Sequence, residues 1–382
     1  MYALLLTIIY LAFISLGLPD SMLGAAWPVM QLDLGVPLSY AGGISMIIAM
    51  GTIVSSLASD WLVSRMGTAR VTSFSVLLSA LALLGFAGAD SYLMLCLLAI
   101  PYGLGAGAVD AALNHYVAVN YAARHMNWLH ACWGVGVSVS PFIMGFALQQ
   151  TWGWAGGYLV VGIMQLALAL LLLLTLPLWK SARSRAVETK ASQGLLVALR
   201  VKKLPYALLA FFGYCALEST AGLWASSYLV QIRGVSPITA ASYASLFFIG
   251  ITLGRVVSGL LTLRLTDRQL ILVGITLILI GSIIMLIPLP TEHGGLVALL
   301  LIGLGCAPVY PSFIHAVPQL FGSQHAPSII GLQMASAYLG TSLMPPLFGL
   351  MAQAWGIHYY PYFLAALALL MLGMMHQLKN KC

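Results

Sequence analysis

Asp20, Asp110, Glu218 and Arg255 each stand inside a long apolar stretch of this sequence. If those stretches lie in a bilayer, a charge at mid-stretch costs about 2.5 to 3.5 kcal/mol on insertion scales, so the four together ask for roughly 10 kcal/mol. Each must therefore face protein or water, and for a reason. Proton exchange is the chemistry open to Asp20 and Asp110. Burial raises a carboxyl's pKa from about 4 toward neutrality, so a carboxyl in a poorly watered cavity can load a proton from one side and release it to the other. The alternative is that each only hydrogen-bonds backbone or a hydroxyl to hold a bent helix, Pro19 being adjacent to Asp20. Glu218 has three readings: a second coupling group, a sodium-site oxygen or a direct ligand, with Tyr214 one helical turn away. Against these stands a structural pairing with a neighbouring helix. Arg255 lies about two turns from the expected end of its stretch, close enough to snorkel, and suits bracing better than substrate contact.

A second group of side chains could read a polar solute. Asn114 follows Asp110 by four residues and shares its helix face, giving an acid and an amide that could grip vicinal hydroxyls. Asn127 with His130, Tyr310, His315 and Gln333 are further candidates, although an intramembrane histidine is more often a packing element. Trp128, Trp133 and Trp224 offer flat faces for the C–H side of a pyranose and an indole N–H to donate. Trp27, Trp152, Trp154, Trp179 and Trp355 fall near segment ends, where tryptophan ordinarily anchors a protein in the membrane interface. Asp60 and Arg65 read as a switch at the end of a helix, since loop-edge charges are cheap to break and remake.

The elements that must position these groups follow from composition. Of the 382 residues, 61% are hydrophobic and only 7% charged, with a mean hydropathy of +0.99. Soluble domains carry about 25% charge, which excludes a soluble enzyme, a disordered chain and a secreted disulfide scaffold. A helix needs about 20 apolar residues to cross a bilayer. Twelve segments qualify: 3–30, 39–64, 69–89, 91–122, 127–150, 154–179, 204–231, 236–263, 268–288, 294–321, 327–354 and 357–377. The polar stretch 180–203 divides six from six, giving an expected amino-terminal bundle over 1–179, a linker over 180–203 and a carboxy-terminal bundle over 204–382.

Net charge is +7, and its placement gives topology rather than a nucleic-acid partner. Fourteen of the sixteen basic residues, from Arg65 to Lys381, fall on one side if the chain crosses twelve times. Arg233 and the intrahelical Arg255 are the two exceptions. By the positive-inside rule both termini are expected in the cytoplasm. The first segment lacks a basic n-region and a cleavage site, so it reads as a retained helix rather than a signal peptide. The five cysteines are spaced for neither a disulfide nor a metal framework, and no cofactor is expected.

The two sets of six repeat. Asp20, Ser21 and Gly24 answer to Glu218, Ser219 and Gly222 at an offset of 198, and Gly51, Ser59 and Arg65 to Gly250, Ser258 and Arg264 at 199. Gly103, Gly105 and His115 answer to Gly303, Gly305 and His315 at 200, and Gly136 and Gly145 to Gly340 and Gly349 at 204. The chain resembles the major facilitator transporters, whose two parallel halves carry the substrate site between them at mid-membrane. The stretch SLASDWLVSRMGTAR is similar to that superfamily's signature after its second helix, with Asp60, Arg65, Gly67 and Arg70 in place. LGRVVSGLLTLRL, holding Arg255 and Arg264, is similar to the second-half copy, and the resemblance implies a gating role for these charges. GLGAGAVDAALN, NWLHACWGVGVSVSP and FFGYCALESTAGLWASSYL resemble segments of the fucose:proton symporter family and its sodium-dependent glucose transporter relatives. That resemblance implies acids at the places of Asp20 and Asp110.

The glycine runs 103–107 and 250–254 follow no strand and read as close-packing helix surfaces, not dinucleotide sites. Pro101, Pro141, Pro308, Pro311, Pro345 and Pro346 are expected to bend helices around a cavity.

The expectation is an all-α polytopic protein of the major facilitator fold, with twelve spans in two pseudo-symmetric halves. It is expected to work as a monomer in a plasma membrane, a bacterial inner membrane, in contact with lipid and with no nucleic acid. The expected function is proton-coupled symport of a small polar solute, a monosaccharide or polyol, by alternating access, with sodium as the other candidate ion. A proton-coupled exporter of lipophilic drugs is the alternative. An intramembrane aspartyl protease using Asp20 and Asp110 lacks the usual Gly-x-Gly-Asp, since Asp110 follows Gly107-Ala108-Val109. A receptor-like protein that binds without translocating is the third class.

Overall fold

The computed structural model describes residues 2–121, 123–179, 201–287, 293–322 and 325–379, and among them every regular element is a helix. Most of the basic linker predicted at 180–203 lies outside the described residues. The helices form twelve consecutive spans. Span 1 is Tyr2–Gly17, a 3-10 turn Leu18–Ser21, and Met22–Asp33. Spans 2 to 6 are Tyr40–Met66, Thr68–Ala87, Tyr92–Asn120, Ala123–Gln149 and Gly153–Leu174. Spans 7 to 9 are Leu204–Arg233, Pro237–Leu261 and Asp267–Leu286. Span 10 is His293–Cys306 followed by Val309–Phe321, and spans 11 and 12 are Ala326–Trp355 and Tyr360–Lys379.

Eleven of these are long and apolar enough to cross a membrane. Span 11 is the exception. Its 30 residues are ample in length, but Gln333, Ser336, Thr341, Ser342 and the pair Pro345-Pro346 lower its apolarity.

The prolines act selectively. Pro19 cannot donate a backbone N–H, and span 1 is interrupted there by the 3-10 turn. Pro308 likewise separates the two helices of span 10. Pro101, Pro141, Pro345 and Pro346 lie inside helices that continue through them.

The chain divides into two compact units, Met1–Ala186 with Val235–Ser245, and Val187–Gly234 with Leu246–Cys382. In the first, span 1 packs on span 5, span 2 on span 4, and span 3 on spans 4 and 6. The start of span 8 joins this unit because Ser242 and Ile238 lie against Gly145 of span 5. In the second, span 7 packs on spans 11 and 12, and span 9 on spans 10 and 12.

Glycine sets the crossings. A Cβ on Gly103 would collide with the Ile48 carbonyl of span 2, and one on Gly303 would collide with the Phe247 carbonyl of span 8. Gly136 meets the Ile14 carbonyl of span 1 in the same way, and Gly340 meets Phe212 of span 7. The sequence repeat is thus, at these glycines, a repeat of close contacts on a neighbouring backbone, since both contacts of the first unit recur at the matched residues of the second. Such closeness is how membrane helices gain dispersion and weak hydrogen bonding where no hydrophobic drive separates them from lipid.

Arg233, an exception to the charge pattern, has a structural use. Its guanidinium donates to the carbonyls of Met285 and Ile287, capping the end of span 9. At the other end of span 9, Thr266 and Gln269 form a reciprocal capping box.

Candidate functional site

Span 1 breaks at Pro19, and the break presents Asp20 sideways to its neighbours. Gly17 lies against the Trp133 carbonyl and Gly136 against the Ile14 carbonyl, so spans 1 and 5 touch along this stretch. Ser21 tightens the contact by donating to the Val137 carbonyl at 2.8 Å, its Oγ also 2.7 Å from Ser140 Oγ. That closeness brings the Trp133 indole N–H to 2.8 Å from Asp20 Oδ2. From span 4, the buried Tyr102 hydroxyl donates to Asp20 Oδ1 at 3.1 Å. Both carboxylate oxygens are therefore held by neutral donors, yet the residue as a whole keeps accessible surface.

Two turns beyond Tyr102, Asp110 accepts from Asn114 Nδ2 at 2.9 Å, and the same amide reaches the Asp110 carbonyl at 3.0 Å. The acid and amide predicted to share a face do so as a bonded pair, both half-buried. Asp110 is near enough to Asp20 for their charges to interact. The unit thus carries two carboxyl groups held by a tyrosine, a tryptophan and an asparagine, with no cation bonded to either among the described residues. Nearby, His130 is exposed at the start of span 5 with its ring edge-on to Phe13 at 5.9 Å, and Trp128 is exposed. The Asn127 side chain lies outside the described residues.

In the second unit Glu218 is half-buried and Tyr214, one turn before it, is fully buried with its hydroxyl unpartnered. Glu218 and Arg255 both lie in electrostatic reach of Tyr214 and Cys306. Tyr214 belongs to an aromatic group: the Phe211 and Tyr310 rings are 5.1 Å apart and Tyr214 and Tyr310 are 6.3 Å apart. The Tyr310 hydroxyl donates to Met334 Sδ at 3.3 Å. Gln333 is buried on span 11 and its Oε1 has no partner. Tyr214 therefore lies beside Tyr310 and within electrostatic reach of Glu218 and Arg255.

Three residues have partners that their types did not foretell. Trp224 is fully enclosed, donates its N–H to the Pro345 carbonyl at 2.9 Å and packs edge-on to Phe348, so neither its face nor its N–H is open to a ligand. His315 Nδ1 lies 2.8 Å from Asp267 Oδ2 at the start of span 9, with the imidazole 72% exposed. Trp27, expected as an interfacial anchor, is fully buried and donates to the Leu38 carbonyl at 2.8 Å.

Among the gating candidates, Asp60, Arg65, Arg70 and Arg264 are exposed at helix ends and Arg255 is half-buried. The Arg65 guanidinium sits 4.6 Å over the Trp61 ring, a cation–π contact along one helix face. Tyr102 was missed. A tyrosine in an apolar helix costs little, so nothing marks it until the fold brings its hydroxyl to Asp20.

The sequence model of the Major Facilitator Superfamily matches residues 9–332. The chain belongs to the major facilitator superfamily. It is a multi-pass membrane transporter of that superfamily and not an enzyme. Among curated relatives, the chain is 22% identical over 390 residues to bypass of stop codon protein 6 of Saccharomyces cerevisiae, covering 91% of this chain and 77% of the yeast one. It is 26% identical over 181 residues to the 4-hydroxybenzoate transporter PcaK of Pseudomonas aeruginosa, covering 46% of this chain and 40% of that protein.

Two solved structures of the superfamily fold show how far the architecture extends. A D-xylose-proton symporter superposes with a TM-score of 0.77 at 14% identity, covering 99% of this chain and 98% of that one. A mutant form of the nucleoside transporter NupG superposes with a TM-score of 0.79 at 13% identity, covering 97% and 98%. At these identities the likeness is one of fold.

Proposed function

We propose that this major facilitator protein is a secondary active transporter carrying a small polar solute, a monosaccharide or related polyol, in symport with protons by alternating access. The observation that carries the reading is the carboxylate of Asp20, a residue that keeps accessible surface yet is held by Tyr102 and Trp133, with the Asp110–Asn114 pair in the same unit. Neutral donors orient a carboxylate without neutralising it, which leaves protonation as the way to remove its charge. A permanent ion pair would have made that step costly. Asp20 and Asp110 are the proton-coupling groups, with Glu218 their counterpart in the second unit.

Asn114, Tyr214, Tyr310 and Gln333 supply amide and phenol groups of the kind that read hydroxyls. One proton moving down 100 mV releases about 2.3 kcal/mol, enough for a roughly fiftyfold solute gradient. The named activities of the xylose-proton symporter and the nucleoside transporter, which share the fold, are compatible with a hydroxyl-bearing solute. The protein works as a monomer in a plasma membrane with both termini on the cytoplasmic side, and Asp60, Arg65, Arg70, Arg255 and Arg264 act as gating charges.

The test separates coupling from binding. In proteoliposomes, Asp110→Asn and Glu218→Gln are assayed for pH-driven uptake and for counterflow of labelled monosaccharides. A coupling residue loses driven accumulation and keeps exchange, whereas a ligand loses both. Driven accumulation surviving in Asp110→Asn would overturn its coupling role.

A further inference from the structure

Behind Asp20, inside the first unit, spans 1, 3, 4 and 6 enclose a small cavity. The centre of a water-sized sphere can range over about 10 Å³ of it, and one water needs about that much. Most of its wall is carbon, but Ser15, Ser79, Tyr102 and Gln165 also line it. Ser15 is 7% exposed and Gln165 3% exposed. Gln165 Nε2 donates to the Ser15 carbonyl at 2.7 Å, which fixes the amide, while Gln165 Oε1 and Ser15 Oγ have no partner. Each buried polar atom left so costs about 1 to 3 kcal/mol, and the two atoms border the same hole. Tyr102 completes the geometry. Its hydroxyl proton goes to Asp20 Oδ1, which leaves its oxygen lone pairs free to accept.

We propose that this cavity is a binding site for one water molecule, hydrogen-bonded to Ser15 and Gln165, which orients the Tyr102 hydroxyl that holds Asp20. The wall offers four neutral side-chain oxygens and no carboxylate, which suits water rather than a metal cation. Ser15 and Gln165 are then positioning residues acting on Asp20 through Tyr102. Around Asp20 itself the ionisable or donating groups are Tyr102, Trp133 and Asp110, from spans 4 and 5. The positioning role rests on the reading of Asp20 as a coupling group; the water site does not.

Two measurements test it. A map of the full-length protein in nanodiscs, fine enough to show ordered water, is expected to carry one peak within hydrogen-bond distance of Ser15 Oγ and Gln165 Oε1. No peak, or replacement of the peak by thallium when sodium is exchanged for it, overturns the water site. In proteoliposomes, Ser15→Ala and Gln165→Leu are expected to lower pH-driven uptake about fivefold, the worth of one hydrogen bond, with counterflow kept and Ser15→Thr restoring the hydroxyl and the uptake. Unchanged driven uptake, or equal loss of both activities in protein that is folded by its elution and melting, overturns the positioning role. Asp20→Asn run alongside reports on the coupling reading alone, so a failure there is distinguishable from a failure of the water site.

Discussion

At the scale of single residues, Asp20 is held by two neutral donors on different helices, and their removal should have graded effects. Trp133→Phe keeps the ring and removes only the N–H that reaches Oδ2 at 2.8 Å. Loss of one hydrogen bond to a charged acceptor is worth about 1.5 to 3 kcal/mol, so driven uptake is expected to fall by roughly ten- to a hundredfold, with counterflow less affected. Equal loss of both would make Trp133 a solute ligand instead. Asn114→Ala leaves Asp110 without its donor and is expected to weaken driven uptake in the same assay, while Asn114→Asp, which places a second negative charge beside Asp110, should abolish it. The acids could be read from the sequence because a charge in an apolar run has an insertion cost that demands explanation. Tyr102, Ser15 and Gln165 could not, since hydroxyls and amides occur in such helices at little cost and only three-dimensional neighbours give them meaning. The partners of Trp224 and His315 were hidden for the same reason: an indole or imidazole can pack, cap or bind, and the residue type alone does not choose.

At the scale of helices, the small residues determine which backbones touch. Gly103→Val would drive side-chain carbon into the Ile48 carbonyl, and Gly303→Val would do the same at Phe247. Each is expected to destabilise by about 1 to 3 kcal/mol or more through overpacking, read as lower folded yield and an earlier melting transition in detergent. Gly259→Ala, where nothing lies within 4 Å of the new Cβ, is the matched control and should leave both unchanged. Arg233→Ala frees the terminal carbonyls of span 9 and is expected to cost about 1 to 3 kcal/mol on the same melting readout, with Arg233→Lys recovering part of it. Helix existence was plain from apolar run length. The break at Pro19 was suggested by the proline, but the interruption at Pro308 and the continuity through Pro101 and Pro141 depend on which neighbouring helix satisfies the freed carbonyl, information that lies outside the segment itself.

At the scale of the whole molecule, the internal repeat carried the most information, because offsets of 198 to 204 recur as matched helix contacts in both units. The clustering of Val235–Ser245 with the first unit was not legible, since it reflects the contact of Ser242 and Ile238 with Gly145 and not the chain's division into six and six. Orientation in the membrane has its own test. Single cysteines at Ser64 and Thr262 are expected to react with an impermeant thiol reagent only after cells are opened, and one at Asp90 before; the reverse pattern would invert the topology. The most direct measurement of the account is uptake of labelled monosaccharides into proteoliposomes under an inward proton gradient, by the native chain and by Asp110→Asn. Accumulation of a sugar by the native chain, abolished in Asp110→Asn while counterflow persists, is the predicted result. Failure of every sugar to accumulate, together with extrusion of ethidium against the same gradient, would contradict it.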